Sequence, residues 1–230
     1  MAQILLNDLG KDYGTKHVLQ HISLTLSVTG CTVLLGKSGC GKTTFLRLLA
    51  GLEEPTNGSL SMPENLKLGM MFQEARLFPW LTCRENIALG LPDKKAKARV
   101  DELLSLVQLT EAAAKYPSQL SGGMQQRAAL ARTLAMESDL ILMDEPFAAL
   151  DYFTRGQLQQ EMLRMQQRLS LGLILVTHNV DEALTLGTRL LILKEGSIAW
   201  DHCLQQPPWE RDLLSPELID VKRSILVALA

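Results

Sequence analysis

Two hydrophobic rhythms divide this chain. In "HISLTLSV" apolar and polar positions alternate, so Ile22, Leu24, Leu26 and Val28 share one face, the period of a half-buried strand. "CTVLLG", "LILMDE" and "LGLILVTH" are instead short unbroken apolar runs, which suit strands covered on both faces within a parallel sheet. "TRLLILKEGSIAW" reads as a strand, a Gly-Ser turn and a further strand. Between these, "TTFLRLLAGL" sets Phe45, Leu48, Leu49 and Leu52 at helical spacing. "ARVDELLSLVQL" does the same with Val100, Leu103, Leu104 and Val107. Strands alternating with helices predict an α/β fold with a mainly parallel sheet and an antiparallel β layer at the front. About residues 75–135 the pattern is helical without strands, which predicts a sub-domain inserted in the core. The whole of 1–230 is expected to be one domain. Its short tail, 201–230, is broken up by Pro207, Pro208 and Pro216 and is expected to be too short for an added regulatory domain.

Composition narrows this picture without redirecting it. At 230 residues, 47% hydrophobic and 21% charged, the chain can bury an ordinary globular core. A formal charge of −2 gives no global pull toward nucleic acid or anionic lipid, so no nucleic-acid partner is expected. The start, "MAQILLNDLGKDYG", lacks a basic region followed by a long apolar stretch, so no secretion signal is expected. No apolar run reaches membrane-spanning length. Cys31, Cys40, Cys83 and Cys203 have neither C-x-x-C nor His-spaced pattern, so they are read as reduced thiols.

The chemistry begins at "GKSGCGKTT". Gly36, Lys37, Ser38, Gly39, Cys40, Gly41, Lys42 and Thr43 fit G-x-x-x-x-G-K-[ST], after a predicted strand and opening a predicted helix that Thr44 continues. Glycines let backbone N–H groups converge on phosphate oxygens, and the helix N-terminus adds favourable partial charge. Lys42 is expected to reach the outer phosphates and the Thr43 hydroxyl to ligate Mg²⁺. A ligand-free Gly-rich turn is the competing interpretation, and a Lys-Thr pair in this register argues against it. Asp144 ends the apolar strand of "LILMDEPF", where a carboxylate can hold Mg²⁺ through water. Glu145, one residue on, is placed to polarise an attacking water. Alone, an acidic pair at a strand end would equally suit a solvated loop.

"LSGGM" then supplies a second anion site ahead of a helix-forming run: the Ser121 hydroxyl, the N–H groups of Gly122 and Gly123, and a helix start. About 80 residues past the phosphate loop and just before the acidic strand, it resembles the signature of ATP-binding-cassette ATPases. That resemblance covers nearly the whole chain. It implies a P-loop ATPase fold, ATP and Mg²⁺ as cofactors, and a role for each matching position. Tyr13 resembles the aromatic that stacks on adenine. Gln73 in "MMFQEARLFPW" resembles the loop glutamine that ligates Mg²⁺ and water. "AALD", ending at Asp151, resembles the loop that crosses to the opposite subunit. His178 resembles the switch histidine at the γ-phosphate. Met124, Ala148 and Asn179 depart from the family's usual Gln, Ser and Asp, and none of the three removes a group needed for hydrolysis.

The resemblance further implies a homodimer in the ATP-bound state, with each ATP held by one subunit's phosphate loop and the other's signature. "EARLFPWLTCRENIALGL" is apolar and aromatic for a loop. Leu77, Phe78, Trp80 and Leu81 are either core of the helical sub-domain or the wall of a groove for a short helix of a membrane protein. The family favours the groove, and permease subunits are expected to dock near residues 73–90. A periplasmic or lipid-anchored solute-binding protein would act indirectly, with the chain peripheral at the cytoplasmic face of the membrane. "FQEARLFPWLT" and "MDEPFAALDYFTR" resemble ATPases of nitrate, sulfonate and taurine importers, aliphatic-sulfonate importers being nearest and thiamine-precursor importers remaining open. A soluble cassette ATPase serving an assembly process is the alternative from another class. A P-loop nucleotide kinase is disfavoured by the signature and His178.

Overall fold

The computed structural model describes residues 2–89, 91 and 93–230. Its first two strands, β1 (Gln3–Tyr13) and β2 (Lys16–Ser27), pair antiparallel across a turn in which Gly14 has φ of 61°. Their alternation is interrupted. Asp8 and His21 both take positive φ and bond through their side chains at 2.7 Å, and the register shifts between Leu6 and Leu9. The irregularity turns Leu9 and Leu19 inward beside Ile4, Leu6, Ile22, Leu26 and Val28, and half-buried Leu24 packs on the same cluster. The expected face of Ile22, Leu24, Leu26 and Val28 thus forms, on one side of the bulge.

Behind this layer lies β3 (Cys31–Leu35), buried at every position, which feeds α1 (Lys42–Leu49). Phe45, Leu48 and Leu49 of α1 are buried against the inner face of the front sheet. Leu52 departs from the helical expectation. The helix stops at Leu49, Gly51 turns the chain with φ of 65°, and Leu52 stands 56% exposed. Next, β4 (Asn57–Ser61) adds to the free edge of β1, giving a three-stranded layer of order β2-β1-β4. The chain then enters the second sheet at β5 (Leu68–Met71).

Helices fill the stretch that follows: α2 (Cys83–Ala88), α3 (Asp93–Leu106) and α4 (Gly122–Ala135). Thr82 and Glu85 close a reciprocal capping box on α2, worth about 1 kcal/mol. Val100, Leu103, Leu104 and Val107 are buried together with Ile87 and Leu130, as the helical period of that segment predicts. β6 (Leu140–Asp144), α5 (Tyr152–Leu169), β7 (Gly172–Thr177), α6 (Val180–Leu186), β8 (Arg189–Lys194) and β9 (Ser197–Cys203) complete the larger sheet. Its order is β5-β6-β7-β3-β8-β9, parallel except for the β8–β9 hairpin. In the tail, Pro216 opens a helix instead of breaking structure. It occupies the first turn of α7 (Pro216–Leu229), where a missing N–H costs nothing. No described helix is long and apolar enough to cross a membrane.

The sheet order is what places the chemistry. β3, β6 and β7 are neighbours although up to 146 residues separate them, and all three run the same way. Their carboxyl ends therefore deliver the phosphate loop, the acidic pair and His178 to one rim, where open α/β sheets bind ligands.

Candidate functional site

Between β3 and α1 the backbone wraps into a cradle. Gly39 and Gly41 have φ of 80° and 108°, a region that strains other residues by about 1–3 kcal/mol. A Cβ on Gly41 would lie 2.8 Å from Leu19 and 3.0 Å from the Val18 carbonyl, so the front sheet presses directly on the loop. A Cβ on Gly36 would meet Cys40 Sγ and the Leu193 carbonyl at 2.6 Å. Lys42 folds back into this loop, 6% exposed, its ammonium donating to the Gly36 carbonyl at 2.8 Å and the Lys37 carbonyl at 3.0 Å. Two of its three donors hold the loop closed, which leaves one to donate elsewhere. Burial raises the Cys40 thiol, and Lys42 beside it pulls the other way.

At the ends of β6 and β7 the acidic groups gather. Thr43 donates its hydroxyl to Asp144 Oδ2 at 2.8 Å, which places two oxygens side by side, the donor type a hard divalent cation takes. Asp144 is 3% exposed, and burial pushes its carboxyl above the usual range despite the Thr43 hydrogen bond, with the Glu145 charge adding to the rise. Glu145 has φ of 48° and donates its N–H to the Val176 carbonyl, an unusual backbone turn that aims its carboxylate off the strand end. His178 Nδ1 lies 3.1 Å from Glu145 Oε1. Tyr13, Ser38, Thr44, Gln73 and Glu145 join Lys42 and Thr43 around one cleft of about 450 Å³, which Lys16 and Val18 also line. Tyr13 is half-exposed there, with its hydroxyl bonded to Glu53. Burial raises the Tyr13 hydroxyl above its usual range, and the Glu53 hydrogen bond adds to the rise. Two roomier grooves, along α5 and at the α3–α5 side, are lined by none of the residues of the Gly-rich loop.

The remaining predicted residues lie elsewhere. Ser121 caps α4, its Oγ accepting from the Met124 N–H at 3.3 Å, and both Ser121 and Gly122 face solvent. A Cβ on Gly123 would lie 3.2 Å from the Ala149 carbonyl, so the signature abuts the "AALD" loop. Asp151 caps α5 by accepting from the Thr154 N–H, and the Thr154 hydroxyl followed by that N–H holds its carboxyl below the usual range. None of Ser121, Gly122, Gly123 and Asp151 lines the phosphate cleft. The predicted nucleotide-binding set thus falls into two groups on separate surfaces of one chain.

The apolar loop after Gln73 also divides. Leu77 packs on the core, whereas Phe78 and Trp80 are 42% and 68% exposed with ring centroids 5.4 Å apart. Gly90, at the end of the expected docking segment, is outside the described residues. Sequence reasoning missed what holds this loop. Asn86, fully buried on α2, donates to the carbonyls of Phe78, Leu81 and Thr82 and accepts from the Phe78 N–H. Arg132 of α4 donates to the carbonyls of Ala75 and Arg76. The only prior signal was an asparagine at an inward position of an amphipathic helix.

Comparison with known proteins gives the family to which this fold belongs. The family model described as ABC transporter matches residues 19–148. The "Aliphatic sulfonates import ATP-binding protein SsuB 1" of Paracoccus denitrificans is 42% identical over 98% of this chain and 93% of that protein. The "Spermidine/putrescine import ATP-binding protein PotA" of Haemophilus influenzae is also 42% identical, over 86% of this chain but 57% of that protein. A dimeric ATP-binding cassette in a post-hydrolysis state, bound to ADP and Pi, superposes with a TM-score of 0.79 at 28% identity. It covers 88% of this chain and 99% of that one. The phosphate cradle, the acidic strand end and the signature helix are thus set on an ATP-binding-cassette fold, and this chain belongs to the ABC transporter family.

Proposed function

We propose that the chain is the ATP-hydrolysing subunit of a membrane importer for a small anionic solute, with an aliphatic sulfonate as the nearest class. The observation that carries the hydrolytic part is the single rim on which Lys42, Thr43, Asp144, Glu145 and His178 meet. Support for the solute comes from relatives of comparable length that carry that name, whereas the polyamine-import relatives are matched over little more than half their length.

In this reading Tyr13 stacks on adenine and the phosphate loop from Gly36 to Thr44 cradles the phosphates with Lys42 on the outer ones. Thr43, Asp144 and Gln73 hold Mg²⁺. Their oxygens suit that ion, and a cation beside Asp144 offsets the cost of an ionised carboxylate buried with one hydroxyl partner. Held there, Mg²⁺ would supply neutralisation of phosphate charge. Glu145 polarises the attacking water, and His178, held at 3.1 Å, contacts the γ-phosphate. Since the signature and Asp151 do not line the chain's own cleft, a second copy supplies them, and ATP closes the dimer. Gln73, Phe78 and Trp80 form the side that meets the permease, which keeps the subunit peripheral at the cytoplasmic face.

A tagged pull-down from detergent-solubilised native membranes tests the partner. Recovery of a multi-helix membrane protein is expected, and recovery of soluble proteins alone overturns the importer reading. For the chemistry, Glu145→Gln is expected to abolish turnover while ATP-bound dimers still form by size-exclusion chromatography. Turnover near the wild-type rate would remove Glu145 from this role.

A further inference from the structure

Beneath the rim, two loops that the proposed cycle needs are tied by groups it has not yet used. Arg155, on the first turns of α5, donates from one terminal nitrogen to the Leu150 carbonyl at 3.0 Å, inside the "AALD" loop. Its Nε faces Glu182 Oε1 at 3.6 Å. The other oxygen of Glu182 accepts the Thr177 hydroxyl at 2.6 Å, and that same hydroxyl oxygen accepts the Asn179 N–H at 3.0 Å. Thr177 and Asn179 flank His178, whose Nδ1 lies at Glu145. A continuous run of contacts therefore leads from the crossing loop through Arg155 and Glu182 to the switch histidine and the carboxylate beside it.

This link is an expensive way to hold a fold. Glu182 is 5% exposed and Arg155 is mostly buried. Burying such a pair gains little over apolar packing of the same volume, because both charges lose their hydration. The pair is also loose: among the described residues Arg155 Nε is buried without a hydrogen-bond partner. Burial raises the Glu182 carboxyl, and Thr177, Arg155 and His178 all pull it back down. A contact that is costly, slack and stationed between two loops suits a coupling element better than a structural staple.

We infer that Arg155 and Glu182 are positioning residues that bind the switch-histidine loop to the crossing loop, so that both reach their hydrolysis-ready places together. The inference rests on the proposed roles of Glu145 and His178. Neither Arg155 nor Glu182 touches the reacting atoms. Their loss misplaces His178 without altering the cradle that binds ATP, since Arg155 and Glu182 do not line that cleft.

The test is steady-state ATPase kinetics on purified full-length Arg155→Lys, Glu182→Gln and the double variant, with wild type and Glu145→Gln as controls and thermal unfolding of each. Each single variant is expected to lose about 10- to 100-fold in kcat, the range expected for a small misplacement away from the chemistry. The KM for ATP is expected to stay within about twofold. The double variant is expected to be no slower than the slower single, because both break one link. Glu182→Gln keeps the side-chain volume and an acceptor for Thr177, so it remains informative if an arginine variant fails to fold. A kcat within about twofold of wild type in either folded single variant, or losses that multiply in the double, overturns the inference. A wild-type chain without Glu145-dependent turnover would instead remove the proposed function, and this inference with it.

Discussion

Replacing Asn86 with alanine separates what holds the apolar loop from what binds nucleotide. The Asn86 amide has two hydrogens for three carbonyls at 3.0–3.1 Å, and its oxygen accepts the Phe78 N–H at 2.8 Å. That is the equivalent of three hydrogen bonds. At about 0.5–1.5 kcal/mol each, their loss amounts to about 1.5–4.5 kcal/mol. Phe78 is 42% exposed, so water can satisfy its freed N–H and C=O, which puts the expected cost near the lower half of the range, about 2 kcal/mol. For a chain of this size that lowers the unfolding midpoint by about 4–8 °C. Urea unfolding provides the assay: the midpoint should fall at unchanged slope. ATP KM should not change, because Asn86 is outside the phosphate cleft, whereas stimulation by reconstituted permease should be reduced. A destabilisation below about 0.5 kcal/mol would refute the account of Asn86 as the anchor of this loop.

Further outcomes follow from the same geometry. Asp144→Asn is expected to abolish turnover yet raise stability at pH 7. The folded carboxyl titrates above its ordinary value of 3.8, so folding is penalised as pH rises through the raised value. The gain should therefore vanish as pH falls below about 3.8, which thermal unfolding at several pH values reads directly. A colourless stability profile (no pH dependence of the gain) would contradict the burial argument. Native thiol titration should modify exposed Cys203 first and half-buried Cys40 slowly, leaving Cys31, fully buried and pushed up to about 12, unreactive until denaturation. Rapid loss of all four thiols from folded protein would refute that order. Tyr13→Ala is expected to raise ATP KM roughly 10-fold with kcat little changed, the signature of lost uniform binding. An unchanged KM would dismiss Tyr13 as the adenine platform.

Much of this protein can be read locally. The phosphate loop is a contiguous string whose glycines and Lys42-Thr43 pair act through their own backbone and neighbours, so eight residues suffice to recognise it. The apolar runs that became β3, β6 and β7 predict burial on both faces because successive side chains of a strand point to opposite sides. Local pattern failed where a distant partner decided the outcome. Leu52 fits its period but is left exposed, because a turn at Gly51 redirects the chain. Pro216 looks like a breaker until the position of α7 makes it a first-turn residue. Sheet order was decided by long-range pairing: β6 lies beside β7 in parallel, which puts His178 against Glu145 although no periodicity links them. Separation of Ser121 and Asp151 from the phosphate cleft, the hold of Asn86 on its loop, and the Arg155–Glu182 contact belong to the same class. Periodicity reports which face of an element is buried. Which element covers that face depends on contacts between residues far apart in the chain, and those exist only once the chain has folded.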